Sequence, residues 1–190
     1  MDQTEQAELQ TLYDNDQTVL LVIFLDNYEE ITLPMDDTAK SQLNSEVTAI
    51  LNNWAKEYGL YVKRTSQERF LAIGTKEILR KLESTKFGIL DELREISGDQ
   101  STNVTLSIGV GHGDVPLPTL GELAQSSLDL ALGRGGDQVA IRDETGKVRF
   151  YGGKTNPMEK RTRVRARGIS HAMIDLVKAS DSVIIMGHKS

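Results

Sequence analysis

The chain has 190 residues, 38% of them hydrophobic and 26% charged, with a formal net charge of −6 and no cysteine. That length suits one good-sized domain with an appendage, or two small domains. The composition excludes a disulfide framework and a thiolate metal site, and the acidic balance argues against general nucleic-acid binding by the surface. No apolar run approaches the roughly 20 residues needed to span a bilayer. No basic flank followed by an apolar stretch marks a signal peptide, so the cytosol is the expected compartment. Charge is uneven: acids crowd residues 1–57, whereas Lys160–Arg167 is strongly basic, an asymmetry that points to separate modules.

Residues 1–17 are polar and read as a linker, with a short helix from Glu5 to Tyr13. Thr18–Asp26 is almost continuously apolar and rich in Val, Leu and Ile, the pattern of a central strand. Leu33-Pro34 breaks the chain, and Asp36 or Asp37 can cap the following helix by accepting its free N–H groups. From Thr38 to about Tyr58, Leu43, Val47, Ile50, Leu51 and Trp54 recur at helical spacing, and Gly59 ends the helix. A hairpin over about 60–74 joins Leu60–Lys63 to Phe70–Gly74 through the polar turn Arg64-Thr65-Ser66-Gln67-Glu68-Arg69.

Lys76–Ile96 reads as a second helical region interrupted at Gly88. Asn103–Gly111 alternates as a strand. Pro116 and Pro118 mark a loop, and Thr119 is the expected cap of a third helix over Leu120–Leu132, stopped by Gly133–Gly136. Val139–Ile141 and Val148–Tyr151 are paired strands. Gly152–Pro157 has a linker composition, followed by a basic helix over about Lys160–Ala179 and a buried-type strand ending in Gly187-His188.

Strand–helix–hairpin–helix–strand is the order of an α+β, ferredoxin-like unit, with one sheet and helices on one or both faces. The expected division is a linker over 1–17, one domain over 18–151, and the start of a second module over 152–190.

These residues carry a resemblance. Phe24-Leu25-Asp26-Asn27-Tyr28, the Arg64–Phe70 hairpin, Leu106-Ser107-Ile108-Gly109-Val110 and Leu128–Gln138 resemble a GGDEF domain with a degenerate signature. The tail from Tyr151-Gly152-Gly153-Lys154 through Arg161–Arg167 to Ile185-Met186-Gly187-His188-Lys189 is similar to the junction into a DHH phosphoesterase domain in GdpP (YybT-type) cyclic-di-AMP phosphodiesterases. The resemblance implies a GGDEF/nucleotide-cyclase-type sheet, and a chain cut from a longer protein at the start of its DHH module. It also implies a parent anchored in the cell membrane with an upstream sensor, and cyclic-di-AMP as the parent's substrate.

The departures from the family pattern bear on the chemistry. An active GGDEF domain condenses two GTP molecules with bound Mg²⁺. Where its first strand supplies a metal-binding Asp, this chain has Phe24, which offers no hard oxygen ligand. The two signature glycines are replaced by Ser66 and Gln67, whose side chains obstruct close approach of backbone to phosphate. Glu68 keeps an acid, and Arg69 reverses the charge at the next position. No diguanylate cyclase activity is expected. Family members of this kind are associated with slow ATP hydrolysis, which extends ATP or another nucleotide, with Mg²⁺, to this chain as an expected ligand. Asp26, Glu68 and Arg69 are the expected nucleotide-binding residues: the acids for a metal, Arg69 for phosphate charge.

By the same resemblance His188 is the first metal ligand of a DHH site that uses two Mn²⁺ ions. The Asp ligands expected beyond it lie past Ser190, so no phosphodiesterase activity is expected of these residues alone. His112 reads as a loop residue and His171 as structural. Lys160–Arg167 reads as a solvated interdomain helix, because no aromatics interleave its charges as nucleic-acid binding would need. Gly133–Gly136 follows a helix, whereas phosphate cradles precede one. Three functional readings follow: a regulatory domain of a cyclic-dinucleotide phosphodiesterase, a weak ATPase, or a dimerisation or spacer domain that would form a homodimer.

Overall fold

The computed structural model describes residues 2–97 and 104–153. Helix α1 (Gln3–Asp16) precedes strand β1 (Thr18–Leu25). A short helix α2 (Tyr28–Thr32) and the long helix α3 (Asp37–Tyr58) lead to the hairpin β2 (Tyr61–Arg64) and β3 (Arg69–Thr75). Helices α4 (Lys76–Ser84) and α5 (Ile89–Arg94) follow, with a single 3-10 turn at Glu95–Ser97. Strand β4 (Leu106–His112), helix α6 (Leu117–Gly133) and strands β5 (Gln138–Asp143) and β6 (Val148–Gly152) complete the order.

The six strands form one sheet in the order β2-β3-β1-β4-β5-β6. All neighbours are antiparallel except β4 and β5. The parallel pair exists because α6 crosses over between them, as a parallel connection requires. This is the α+β, ferredoxin-like arrangement expected from the sequence. Alternation along β1 divides the core. Val19, Leu21, Ile23 and Leu25 face α3, α4 and α5. Leu20 and Val22 face α6, where Leu120, Ala124 and Leu128 cover them.

Local chemistry sets the boundaries. Asp36 caps α3 by accepting from the Ala39 N–H at 2.7 Å. Gly59, at φ +78°, ends the same helix, and the Leu60 N–H returns to the Ala55 carbonyl at 2.8 Å. The helical region is interrupted between Ser84 and Ile89, a break that includes the expected Gly88 as the residue before α5, and its backbone reversal lies at Lys86 and Phe87, which hold φ of 52° and 53°. Two consecutive left-handed residues are costly without glycine. Phe87 is fully buried, with its ring 5.6 Å from that of Tyr151, so packing offsets the backbone cost. Helix α6 begins before Thr119: Pro116 is its cap residue and Pro118 sits in the first turn. Proline lacks only an N–H that has no intrahelical partner there. His112 is the last residue of β4, paired with Val19 and Asp143 and buried, rather than in a loop.

Helix α6 lies unusually close to β4. A Cβ on Gly109 would stand 2.1 Å from the Ala124 carbonyl oxygen, and one on Gly111 2.5 Å from that of Leu120. Two glycines on one face of β4 therefore let helix backbone rest on strand backbone. Helix α1 buries none of its residues. It is held by polar contacts: Asp14 with Lys76 and Arg80, and Tyr13 Oη with Asp114 at 3.1 Å. No helix among the described residues is long and apolar enough to cross a membrane. The expectations for Lys160–Arg167, His171 and the strand ending at His188 lie outside the described residues.

Candidate functional site

The turn of the β2–β3 hairpin and the C-terminal end of β1 meet at one end of the strands. The Leu25 N–H donates to the Glu68 carbonyl at 2.8 Å, and the Thr65 N–H to the Arg69 carbonyl at 2.9 Å. The expected site residues Asp26 and Glu68 are thus neighbours through the backbone. Arg69 stands opposite Phe24 in the β1–β3 register.

Alternation separates the hairpin's two arginines. Arg64 pairs with Phe70 across β2 and β3, and Phe70 faces α3 with the main core. Arg69 belongs to the other face. Its guanidinium lies 5.8 Å from the centre of the Phe24 ring, a cation–π contact. It also donates to Gln125 Oε1 of α6 at 2.9 Å, and Gln125 donates in turn to Asp129. A stack of Phe24 and Arg69 therefore occupies the α6 face.

Asp26 is committed to the far side of the sheet. Its Oδ2 accepts from the Asp137 N–H at 2.7 Å. Gly136, at φ +73°, packs so closely that a Cβ there would lie 2.8 Å from Oδ2. Asp137 has φ +57° and its side chain is fully buried. It meets Arg94 of α5, whose Nε donates at 2.9 Å, and its carbonyl accepts from the Gly153 N–H at 3.0 Å. Asp26 thus anchors the turn from α6 into β5.

On the α3 face a polar cavity of about 780 Å³ opens between α2, the N-terminal half of α3 and the hairpin. Tyr28, Lys40, Asn44, Thr48, Arg64 and Gln67 contribute to its walls. Arg64 organises it: Nη2 donates to Asn44 Oδ1 at 2.7 Å and to the Gln67 carbonyl, Nη1 to Thr48 Oγ1 at 3.1 Å, and Nε to the Ser66 carbonyl at 3.1 Å. Tyr28 Oη donates to the same Asn44 oxygen at 3.0 Å. Arg64 also lies 5.1 Å over the Phe70 ring. Lys40 stands in the second turn of α3 beside Ser41, on the cavity wall. Asp37 is the single carboxylate on that wall among the described residues.

Sequence reasoning placed the site at Asp26, Glu68 and Arg69 and passed over Arg64, Lys40 and Asn44. A signal for Arg64 was present. Residues of equal parity share a face along a strand, and the Arg64↔Phe70 register extends this across the hairpin, grouping Arg64 with Phe70 and setting Arg69 on the other side. Nothing local marks Asn44, a polar residue on an exposed helix stretch until Tyr28 and Arg64 meet it. His188 lies outside the described residues.

The fit of Mg²⁺, which the fold implies, can be judged from the donors. This ion wants near-octahedral oxygen ligands, usually one or two carboxylates with phosphates and waters. Here Phe24 and Arg69 fill the sheet end, and Asp26 serves the Asp137 amide. No group of three or more His, Asp or Glu side chains among the described residues could hold a metal ion. The donor set does not fit a carboxylate-held Mg²⁺.

Outside the cavity, His112 sits in a charged cluster. Burial, and then the Arg149 charge, lower its pKa from 6.5. Glu83 of α4 accepts from Arg149 Nε at 2.8 Å and from Tyr151 Oη at 3.0 Å.

The chain is similar to known proteins over its whole length and in fold. The family model described as "Cyclic-di-AMP phosphodiesterase GdpP-like, GGDEF domain" matches residues 23–150. The chain is 62% identical to the cyclic-di-AMP phosphodiesterase GdpP of Geobacillus thermodenitrificans, over 99% of this chain and 29% of that protein. It is 60% identical to GdpP of Bacillus subtilis (28% of that protein) and 55% identical to the phosphodiesterase PdeA of Listeria monocytogenes (29%), each over 99% of this chain. It therefore spans under a third of the curated relatives it matches. In fold, it is similar to the GGDEF domain of DgcB from Caulobacter crescentus, solved with c-di-GMP. The TM-score is 0.58 at 16% identity, covering 72% of this chain and 81% of the other. The active GGEEF domain of a Vibrio cholerae diguanylate cyclase gives a TM-score of 0.56 at 15% identity, covering 73% and 89%. The sheet order, the hairpin beside the end of β1 and the family match together assign the fold: the chain belongs to the GGDEF-domain family of GdpP-like cyclic-di-AMP phosphodiesterases.

Proposed function

We propose that this chain is a degenerate GGDEF domain that binds a nucleotide and regulates a cyclic-di-AMP phosphodiesterase of which it is one part. The observation that carries this reading is the pairing of an intact polar cavity with a signature filled by non-ligands. The cavity of about 780 Å³ remains open on the α3 face, while Phe24 and Arg69 stack where a cyclase would need acids. The volume is within the range of small-molecule sites. Its wall carries the Lys40 ammonium and the fixed positive charge of Arg64 for phosphate, and Asn44, Ser41 and Thr48 for hydrogen bonds to a base or sugar.

In this reading Asp26 and Arg69 shape the hairpin and the turn into β5, and Glu68 is the acid of the hairpin turn, beside the Gln67 that contributes to the cavity wall. ATP is the first nucleotide to test. The parent would carry membrane helices, a DHH module with two Mn²⁺ ions bound in part by His188, and cyclic-di-AMP as substrate, so that nucleotide occupancy here adjusts hydrolysis there. The identity to GdpP and PdeA supports this parentage.

Calorimetric titration of the chain with ATP and with GTP, each with and without Mg²⁺, tests binding. Saturable heat with either nucleotide supports the reading; none up to millimolar concentration defeats it. A phosphate-release assay on wild type and Glu68→Ala tests the assignment of Glu68. Turnover unchanged in the variant removes Glu68 from the site. Formation of cyclic-di-GMP from GTP would contradict degeneracy.

A further inference from the structure

We infer that the cavity holds its ligand's phosphates by protein cations alone, so that nucleotide binding needs no divalent metal. The inference rests on the nucleotide reading above and deepens it. Three observations lead to it. First, the carboxylates expected to hold a metal do not line the cavity: Phe24 and Arg69 stack together where acids are lacking, Asp26 accepts from the Asp137 N–H, and neither Asp26 nor Glu68 is among the described residues of the cavity wall. Second, Arg64 is half-buried, and each of its guanidinium nitrogens donates to neutral acceptors: the Ser66, Gln67 and Asn44 carbonyls, Asn44 Oδ1 and Thr48 Oγ1. Its charge is therefore positioned and held rigid but not neutralised by a carboxylate among the described residues. Third, Lys40 shares the cavity and likewise has no carboxylate within ion-pair distance among the described residues, whereas Lys76, Arg80, Lys81, Arg94 and Arg149 are all paired.

Two cations against the one carboxylate of Asp37 leave the cavity wall with a net positive charge. A concave polar site concentrates that field on whatever enters. The N-terminus of α3 adds little, because Asp36 already accepts from the Ala39 N–H. The attraction lies in the two side chains. In a metal-dependent site the ion neutralises phosphate charge; here the fixed charge of Arg64 does so through space, its N–H groups being taken by Asn44, Thr48 and the hairpin carbonyls, and the Lys40 ammonium is the direct donor. The ligand class is a nucleoside polyphosphate taken as the free anion.

The test is calorimetric titration of the whole 190-residue chain with ATP in EDTA and in excess MgCl₂, with adenosine as a probe lacking phosphate. The expected result is a Kd that differs by less than about threefold between EDTA and Mg²⁺, no measurable binding of adenosine, and at least about a tenfold loss for Arg64→Gln in EDTA. Because Arg64 also braces the hairpin, Lys40→Gln serves as the second variant: among the described residues the Lys40 side chain makes no hydrogen bond or ion pair, and its replacement should weaken ATP several-fold in EDTA with an unchanged melting curve. Binding that requires Mg²⁺ by about tenfold or more overturns the inference while leaving the nucleotide reading intact. Equal affinity in both variants and wild type also overturns it. Absence of ATP binding in either buffer defeats both.

Discussion

Replacing Gly109 by Ala places a methyl group against helix backbone, and the cost can be worked from the geometry. The new Cβ would lie 2.1 Å from the Ala124 carbonyl oxygen, 2.2 Å from the Leu128 nitrogen and 2.7 Å from the Leu128 Cα. Ordinary contact begins near 3.4 Å, so α6 would have to retreat by about 1.3 Å over its middle turns, and close-packed interiors do not absorb that. Backbone atoms cannot rotate away as a side-chain end can. The retreat would also loosen Leu120, Ala124 and Leu128 from Leu20 and Val22. Overpacking of this kind costs about 1–3 kcal/mol and sometimes more, and the all-backbone clash sets the expectation at about 3 kcal/mol or above. Gly133, the last residue of the same helix, is the internal control: nothing lies within 4 Å of its Cβ position. Gly133→Ala should stabilise by about 0.4–1 kcal/mol through the unfolded chain. Urea unfolding followed by circular dichroism measures both, with the m-value checking that the transition stays two-state. A Gly109→Ala loss under about 1 kcal/mol would refute the backbone-on-backbone packing.

His112 makes a pH prediction. Its pKa is lowered in the folded state, first by burial and then by Arg149, with Lys76 adding to the shift and Asp143 and Glu83 opposing it. The unfolded chain then binds more protons below 6.5, so stability is full above that pH and falls as pH drops toward the lowered value. Unfolding measured from pH 7 to 5 should show this loss, and His112→Gln should flatten it; an equal slope in the variant removes His112 as the cause. Phe24→Asp should yield no cyclic-di-GMP from GTP and Mg²⁺, because Arg69 stands opposite and would pair with the new carboxylate; product in that assay would show that one acid suffices. Asp14→Ala should speed hydrogen exchange of α1 amides with little change in the global midpoint, since α1 buries none of its residues and polar contacts tie it to α4; unchanged exchange would mean that Asp14 does not hold the helix.

Much of the fold was legible because its signals are local. The apolar run of β1, the period of α3, the Asp36 cap and the Gly59 stop each act within a few residues, and they lie where the sequence placed them. What was not legible depends on contacts distant in sequence. The helix break at Lys86–Phe87 is held by burial of Phe87 against Tyr151. The early start of α6 hides behind two prolines that usually signal a loop. Helix α2 is too short to show a period. At the site, the missing acids were readable as Phe24 and Arg69, because side-chain chemistry alone decides metal ligation. The cavity was not, since Tyr28, Asn44 and Arg64 come from three separate elements and meet only after the hairpin packs on α3. Likewise, Asp26 reads as a metal ligand until Asp137, more than a hundred residues later, donates to it.

The central claim is that this domain keeps a nucleotide cavity on its α3 face after losing the ligands for cyclase chemistry. Amide chemical-shift mapping by NMR during titration with ATP tests it most directly. The account predicts saturable shifts concentrated at Tyr28, the stretch from Lys40 to Asn52, and Arg64 to Gln67, with the α6 face at Gln125 and Asp129 unmoved. Saturable shifts confined to the α6 face or to α1, or none at millimolar ATP, would contradict it.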